Sequence, residues 1–577
     1  MLSHMRWIAG YWRAHRGHIA VLLALTVVSS GVALGFPLVF RYVLDNLQPV
    51  LDDGSRLRQV MLILGALAFG RFVAGLYPGA RAWLNSKIGL DVRDRVFDSL
   101  KEKDHTFWSR FRPGDLTTRL TDDIVEYPRI GWFSCSAVFR ALESSARLLF
   151  CLVVMALISW ELTLLAVVPL PLMLYIFYRV EHRLGRKVEE SRKATSHTND
   201  LLDSTFAGIS IVKAYGAEEG QKTRLRRLLD QRFDIELDIT RLMMLVHSLY
   251  DFIGHFGKVL VVLVGGILVV RERIGLGDFY ALYVYLDLLL APMMDIPNLF
   301  VTSRQAFASI DREVEIMEFP GRQRRLQGVD PGPIRRLELR NAGFSYTEGF
   351  GLSDVSLFVS APAVVAVVGE VGSGKTTLLK MLAGLLPVSQ GQVLYNDVPL
   401  ERITESALAR RLGYVPQESV LFSETVAENV RLGRPLDERR IARALETAGL
   451  PVEELYMGAH RLLGQGGSGV SGGQRQRVAI ARALAGDPSL LLLDDCTAAL
   501  DAGREEALWQ KLGPAASGAI TFVVTHREAT VQHADRVILV HGGRVAAQGT
   551  HRELQSKSRL YRWVLSTGTS GGRTERA

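Results

Sequence analysis

The stretch Gly369-Glu370-Val371-Gly372-Ser373-Gly374-Lys375-Thr376 carries the densest chemistry in the chain. Its spacing, G-x-x-x-x-G-K-[ST], is that of a loop whose backbone N–H groups curl around phosphates. It runs out of Ala363–Val368, a buried parallel strand by composition, and into the helical segment Thr377–Leu382. The start of that helix offers further N–H groups and a positive dipole end to an anion. Lys375 is placed to reach the β- and γ-phosphates of a nucleoside triphosphate, and the Thr376 hydroxyl to ligate Mg²⁺. A second apolar strand, Leu490–Leu493, ends at Asp494, a carboxylate suited to hold the same ion directly or through water. Between the two lies Val470-Ser471-Gly472-Gly473-Gln474-Arg475-Gln476-Arg477. A serine and two glycines ahead of a helix form another anion-binding terminus. Because one loop already takes the phosphates, the second implies action on another molecule's nucleotide.

These residues need an α/β scaffold, and only part of the chain supplies one. The last 240 or so of the 577 residues alternate short apolar strands with helices;. A polar connector precedes them, with Arg322, Gln323, Arg324 and Arg325 followed by Asp330-Pro331-Gly332-Pro333;. The first 300 residues hold most of the long apolar runs behind a mean hydropathy of +0.15 and a 48% hydrophobic content. Ile19 to Phe40 is 22 residues without a charge, enough to cross about 30 Å of hydrocarbon. Five further spans are expected near 58–80, 130–159, 162–180, 243–270 and 279–304, with a tight turn at Trp160-Glu161. Pro37, Pro169, Pro171, Pro292 and Pro297 are tolerable there where neighbours or water satisfy the freed carbonyls;.

The net charge of +8 raises nucleic acid as a partner, but the basic residues lie in the segments between spans. Nine Lys/Arg fall from Arg81 to Arg119 and thirteen from Arg179 to Arg241. The short segments 48–57, 160–161 and 271–278 carry few, which puts both termini and both long loops on the cytosolic side. The two long stretches, 81–129 and 181–242, keep helical periodicity, so the spanning helices should continue well beyond the membrane. Membrane orientation accounts for the charge, and no nucleic acid is expected. Met5 to Arg16 mixes Trp7, Ile8, Tyr11 and Trp12 with three arginines, the pattern of a surface-lying amphipathic helix rather than a cleavable signal;. The cysteines Cys135, Cys151 and Cys496 offer neither metal spacing nor a disulfide framework;. Asp251, His255 and Lys258 share one helix face, and Arg71, Asp287 and Asp295 also lie in expected spans. Charges at such depth line a watery cavity, pair with one another or touch cargo, and the three aspartates favour cationic or amphipathic cargo.

The order of these motifs resembles the cassette of ATP-binding-cassette (ABC) transporters over residues 336–565, and the serine–glycine segment resembles their signature. The resemblance implies ATP and Mg²⁺ as cofactors. It makes Gly369 to Thr377 the phosphate loop, and Tyr346 in Phe344-Ser345-Tyr346 the aromatic stacked on adenine. It also makes Gln417 the glutamine that touches Mg²⁺ with Thr376 and Asp494, and Ser471, Gly472, Gly473 and Gln474 the signature contacts. Ala498-Ala499-Leu500-Asp501 resembles the D-loop, and His526 the switch histidine that acts with Asp495 in hydrolysis. The membrane half is similar to the exporter-type branch around Arg112–Leu116, Arg119–Asp123 and Ala207–Tyr215. The implied organisation is an elbow helix at 1–17, an all-α six-helix transmembrane domain at 18–315, a linker at 316–335, an α/β ABC ATPase domain at 336–565 and a disordered tail at 566–577. Such a half would sit in a bacterial inner membrane among lipid. It would work by alternating access on a small molecule with a second half-transporter, in a heterodimer rather than a homodimer. An importer of metallophore-like cargo and an ATP-gated regulatory or channel-like protein share the architecture.

Two positions depart from the family pattern. The residue after Asp494 is usually a glutamate that polarises the attacking water, and here it is Asp495. That withdraws the carboxylate by about 1.5 Å from a water it should meet at roughly 2.6–3.2 Å. Gln465 stands where similar exporters carry a glutamate, and Val470 replaces a leucine. A chain with a weakened acid and a usable signature is expected to be the degenerate member of an unequal pair, with slow hydrolysis at its own site.

Overall fold

The computed structural model describes residues 2–125, 129–321, 328–346, 349–454, 458–464, 467, 469–497, 502–515 and 518–569. Gln465, the segment Ala498–Asp501 and the basic run Arg322–Arg325 lie outside the described residues. The chain forms two compact units, 1–101 with 111–319, and 102–110 with 320–577.

The described part of the first unit is helical. Helix Leu2–Ala14 buries Ile8 and Tyr11 and leaves Arg6 and Arg13 exposed. Among the described residues, five stretches are long and apolar enough to cross a membrane: Arg16–Asp45, Gly54–Leu100, Pro113–Ile158 (126–128 apart, which lie outside the described residues), Glu218–Val270 and Leu276–Met293. Part of their apolar surface faces outward, with Val27 71% and Leu157 81% exposed, as a lipid-facing band requires, while Leu34, Met155, Val261 and Tyr285 pack into a core between them;. The expected span at 162–180 is instead divided into Trp160–Val167 and Pro169–Ala207. Pro169 has no N–H to continue the ladder, so the helix is interrupted at Val168. The turn expected at Trp160-Glu161 falls one residue earlier, at extended Ser159, whose side chain accepts from Leu162 N. Glu218–Val270 is 53 residues, about 80 Å at 1.5 Å per residue, far more than the hydrocarbon thickness. Lys258 pairs with Asp287, and Arg140 Nε lies 3.4 Å from Asp295. The last helix continues to Glu318.

In the second unit the strands are β1 Arg336–Ser345, β2 Gly351–Ser360, β3 Ala363–Gly369, β4 Gln390–Tyr395, β5 Val398–Pro399, β6 Leu412–Val415, β7 Leu490–Asp494, β8 Ile520–Val524, β9 Arg536–His541 and β10 Arg544–Gly549. An antiparallel sheet has the order β2-β1-β4-β5, and a six-stranded one β10-β9-β3-β8-β7-β6. In the larger sheet β3 runs parallel to β8 and β9, and β7 parallel to β6 and β8. Both of its faces are covered, which is why β3 reads as an unbroken apolar run. Ala366 and Val368 enter one core with Leu491 and Leu493, while Val365 and Val367 enter another with Leu490 and Leu492. The short helix His105–Arg110 belongs to this unit, with the His105 ring 5.1 Å from Phe344. Helix Arg559–Thr569 extends through the first residues of the expected tail, and 570–577 lie outside the described residues.

Candidate nucleotide site

Ligands of open parallel sheets collect at the carboxyl ends of the strands, and the chemistry-bearing residues gather at that edge. Gly369 closes β3, Asp494 closes β7, Gln417 follows β6, and His526 lies two residues past β8. One cleft is lined by Gly372, Gly374, Lys375, Thr376, Thr377, Gln417, Asp494, Asp495 and His526, together with Val371. Two glycines are required by the loop's shape. At Gly369 a Cβ would lie 2.2 Å from Val540 O and 2.7 Å from Ser373 Oγ, and Gly374 has φ +109°. Helix Lys375–Leu382 starts directly behind them.

Lys375 is nearly buried, and its Nζ donates to Gly369 O at 2.8 Å and Glu370 O at 2.7 Å. Burial lowers its pKa, against the opposing pull of Asp494, Asp495 and Glu370. The Thr376 hydroxyl donates to Asp494 Oδ1 at 3.2 Å. Asp494 is 1% exposed, and its other oxygen, Oδ2, is buried without a partner. Burial raises its pKa, the Thr376 hydrogen bond works the other way, and Asp495 adds to the rise. A buried carboxylate oxygen left unpaired beside a hydroxyl is a hard-oxygen donor set that fits Mg²⁺, an ion that otherwise keeps waters and phosphate oxygens. Among the described residues no cluster of three or more His, Cys, Asp or Glu competes as a metal site. Ser373 Oγ is likewise buried and unpaired at the loop.

Asp495 stands in the left-handed region at φ +48°. Its N–H donates to Val524 O at 3.1 Å, and its carbonyl accepts from Gln476 Nε2 at 3.2 Å. The acid is thereby tied to helix Gly472–Leu484. His526 has its pKa lowered, first by burial and then by Lys375, with Asp495 opposing. Burial also pushes the Cys496 thiol up to about 12, so it is inert.

Tyr346 does not line the cleft, but its hydroxyl lies 3.4 Å from Thr377 Oγ1. Ser471, Gly472, Gly473 and Gln474 also lie outside it. They start their own helix through a reciprocal cap: Ser471 Oγ accepts from Gln474 N at 3.2 Å, and Gln474 Oε1 from Ser471 N at 3.0 Å. Phe350 lines the cleft and was not foreseen from sequence. Its carbonyl accepts from Tyr346 N at 2.8 Å, and the sequence signal was an aromatic between Gly349 and Gly351. His105, whose ring is 6.5 Å from Tyr346, gave no signal of its own.

Residues 352–498 match the family model described as ABC transporter, and residues 19–293 the one described as ABC transporter transmembrane region. The chain is 28% identical to a "Probable multidrug resistance ABC transporter ATP-binding/permease protein YheI" of Bacillus subtilis (strain 168), over 97% of this chain and 96% of that one. It is 30% identical to the "Multidrug efflux ATP-binding/permease protein Rv0194" of Mycobacterium tuberculosis (strain ATCC 25618 / H37Rv), over 97% of this chain but 47% of that relative. Its fold is similar to the "Structure of a bacterial Atm1-family ABC exporter with ATP bound", with a TM-score of 0.75, 21% identity, and coverage of 97% of this chain and 99% of that one.

Proposed function

Because the chain belongs to the exporter-type ABC transporters, a membrane-spanning region and an ATPase fused in one polypeptide, we propose that it is the ATP-holding half of an unequal pair. The observation that carries this reading is the acid in the cleft: Lys375, Thr376, Asp494 and His526 converge there, but the carboxylate following Asp494 is the short Asp495. Lys375, whose Nζ now donates to the Gly369 and Glu370 carbonyls, would offer those donors to phosphate oxygens of a bound nucleotide. Mg²⁺ supplies charge neutralisation of the phosphates, and Thr376 Oγ1, Asp494 and Gln417 are the residues that would hold it. His526, kept neutral by its surroundings, can donate one hydrogen bond to the terminal phosphate. Asp495 would orient the attacking water, from farther back than a glutamate. General-base positioning is worth about 10²–10⁴ in rate, so binding persists while turnover falls.

Ser471 to Gln474 lie outside the chain's own cleft, a placement that leaves their helix terminus for a second chain's nucleotide. In a homodimer both sites would carry Asp495 and both would be slow; a partner with a glutamate gives one fast site completed by this chain's signature. The relatives' names point to drug-like export cargo, moved from a cytosolic ATPase through a bacterial inner membrane with both termini cytosolic. Steady-state hydrolysis by the purified full chain in lipid discs tests the reading. Little turnover is expected together with retained ATP binding; robust turnover by this chain alone contradicts it.

A further inference from the structure

We infer that the membrane unit carries a binding site for the phosphate of an anionic lipid, between helices Pro169–Ala207 and Glu218–Val270. A pocket of about 490 Å³ opens there, with the basic Arg183, Arg186, Lys187 and Arg241 and the acidic Glu190 and Asp238 in its charged wall and Leu242 and Leu245 beside them. The charges are not balanced within the pocket. Lys187 Nζ is taken by Asp238 at 3.2 Å and Glu190 at 3.3 Å. Arg241 Nη1 lies 3.8 Å from the same Asp238. Among the described residues, Arg183 and Arg186 have no acidic partner. Two unpaired guanidinium groups on one wall of a concavity match a phosphate, which takes paired N–H donors from arginine.

The depth and the lining select the source of that phosphate. This rests on reading 162–180 and 243–270 as membrane-crossing. Arg183 and Arg186 follow the first segment by three and six residues, and Arg241 precedes the second by two. At about 1.5 Å per residue all three lie within roughly 10 Å of the hydrocarbon edge, where headgroups sit. Leu242 and Leu245 extend the pocket toward the apolar side, and Leu245 is 55% exposed. A lipid fills both ends, phosphate on the arginines and acyl chain on the leucines. Free phosphate has no use for the second end.

The test uses the full chain in neutral detergent and a fluorescently labelled phosphatidic acid, against labelled phosphatidylcholine with the same acyl chains. Phosphatidic acid is expected to bind about tenfold tighter, from the gain per basic residue at an anionic surface. Arg183→Ala with Arg186→Ala should lose that preference, Arg183→Lys with Arg186→Lys should keep most of it, and Arg226→Ala with Arg227→Ala, the same charge loss elsewhere on the second helix, should leave it intact. Inorganic phosphate in millimolar excess should not displace the lipid. Equal affinity for the two lipids in the unmodified chain overturns the site without any variant having to fold. So does an unchanged preference in the double alanine variant, or displacement by phosphate, which assigns the pocket to a soluble anion. Release of the chain from membranes by alkaline carbonate would defeat the membrane-crossing reading as a whole, and with it the depth on which the site rests.

Discussion

Asp495 sits in a left-handed backbone conformation that aspartate tolerates better than most residues, held by Val524 O and Gln476;. Its neighbours make sharper demands. Lys375 contributes two charge-assisted donors to the loop, and each such bond is worth about 1.5–3 kcal/mol. Lys375→Ala should therefore weaken ATP binding at least about tenfold, read by titrating a fluorescent ATP analogue, with the cooperative unfolding of the ATPase unit retained. Gly369→Ala puts a methyl 2.2 Å from the Val540 carbonyl. Backbone cannot yield as a flexible side chain does, so we expect a stability loss of about 1–3 kcal/mol and impaired nucleotide binding, measured by denaturant unfolding and the same titration. A Gly369→Ala protein with unchanged binding would show that the strand and loop can separate freely.

Elements differ in how far their sequences announce them. β3 and β7 were legible because both faces are buried, leaving uninterrupted apolar runs ahead of Gly369 and Asp494. The long helices were legible because their apolar segments exceed a bilayer's thickness. The interruption at Val168 was not, because proline is tolerated in spans and only the local ladder shows what Pro169 removes. The last helix enters the expected linker since no glycine or proline lies between Pro297 and Pro320;. Phe350 and His105 reach the nucleotide region through the turn after β1 and the short helix His105–Arg110, placements that spacing along the chain does not encode. At the signature helix, Ser471→Ala removes the reciprocal cap and should cost about 0.5–2 kcal/mol, seen by denaturant unfolding, while ATP binding in this chain's own cleft stays unchanged. Near the end of the last long helix, Glu313 is fully buried with both oxygens unpartnered, beside Asp123, which takes Arg129 and Arg312 at 2.6 Å each. Burial first, then Asp123, raises its pKa from 4.5 to about 8. The folded chain therefore binds more protons than the unfolded one between those values, and this group's stabilisation is lost as pH rises through about 8;. The melting temperature of Glu313→Gln should accordingly fall less than that of the unmodified chain as pH rises across that window.

At the scale of the molecule, one chain joins apolar helices long enough to cross a membrane to an ATPase unit that holds the phosphate-loop cleft and helix Gly472–Leu484. Two chains are needed if a signature is to close on another chain's nucleotide, and the mycobacterial relative, of which this chain covers 47%, has length enough for two such halves. The central claim is that this half holds ATP but hydrolyses it slowly because its acid is Asp495. It is tested most directly by single-turnover hydrolysis of labelled ATP in lipid discs, comparing the unmodified full chain with Asp495→Glu at matched nucleotide occupancy. The account predicts that glutamate raises the rate by about 10²-fold or more, even though the left-handed backbone there costs the longer side chain about 1 kcal/mol or less. Fast hydrolysis by the unmodified chain, with no gain from Asp495→Glu, would contradict it.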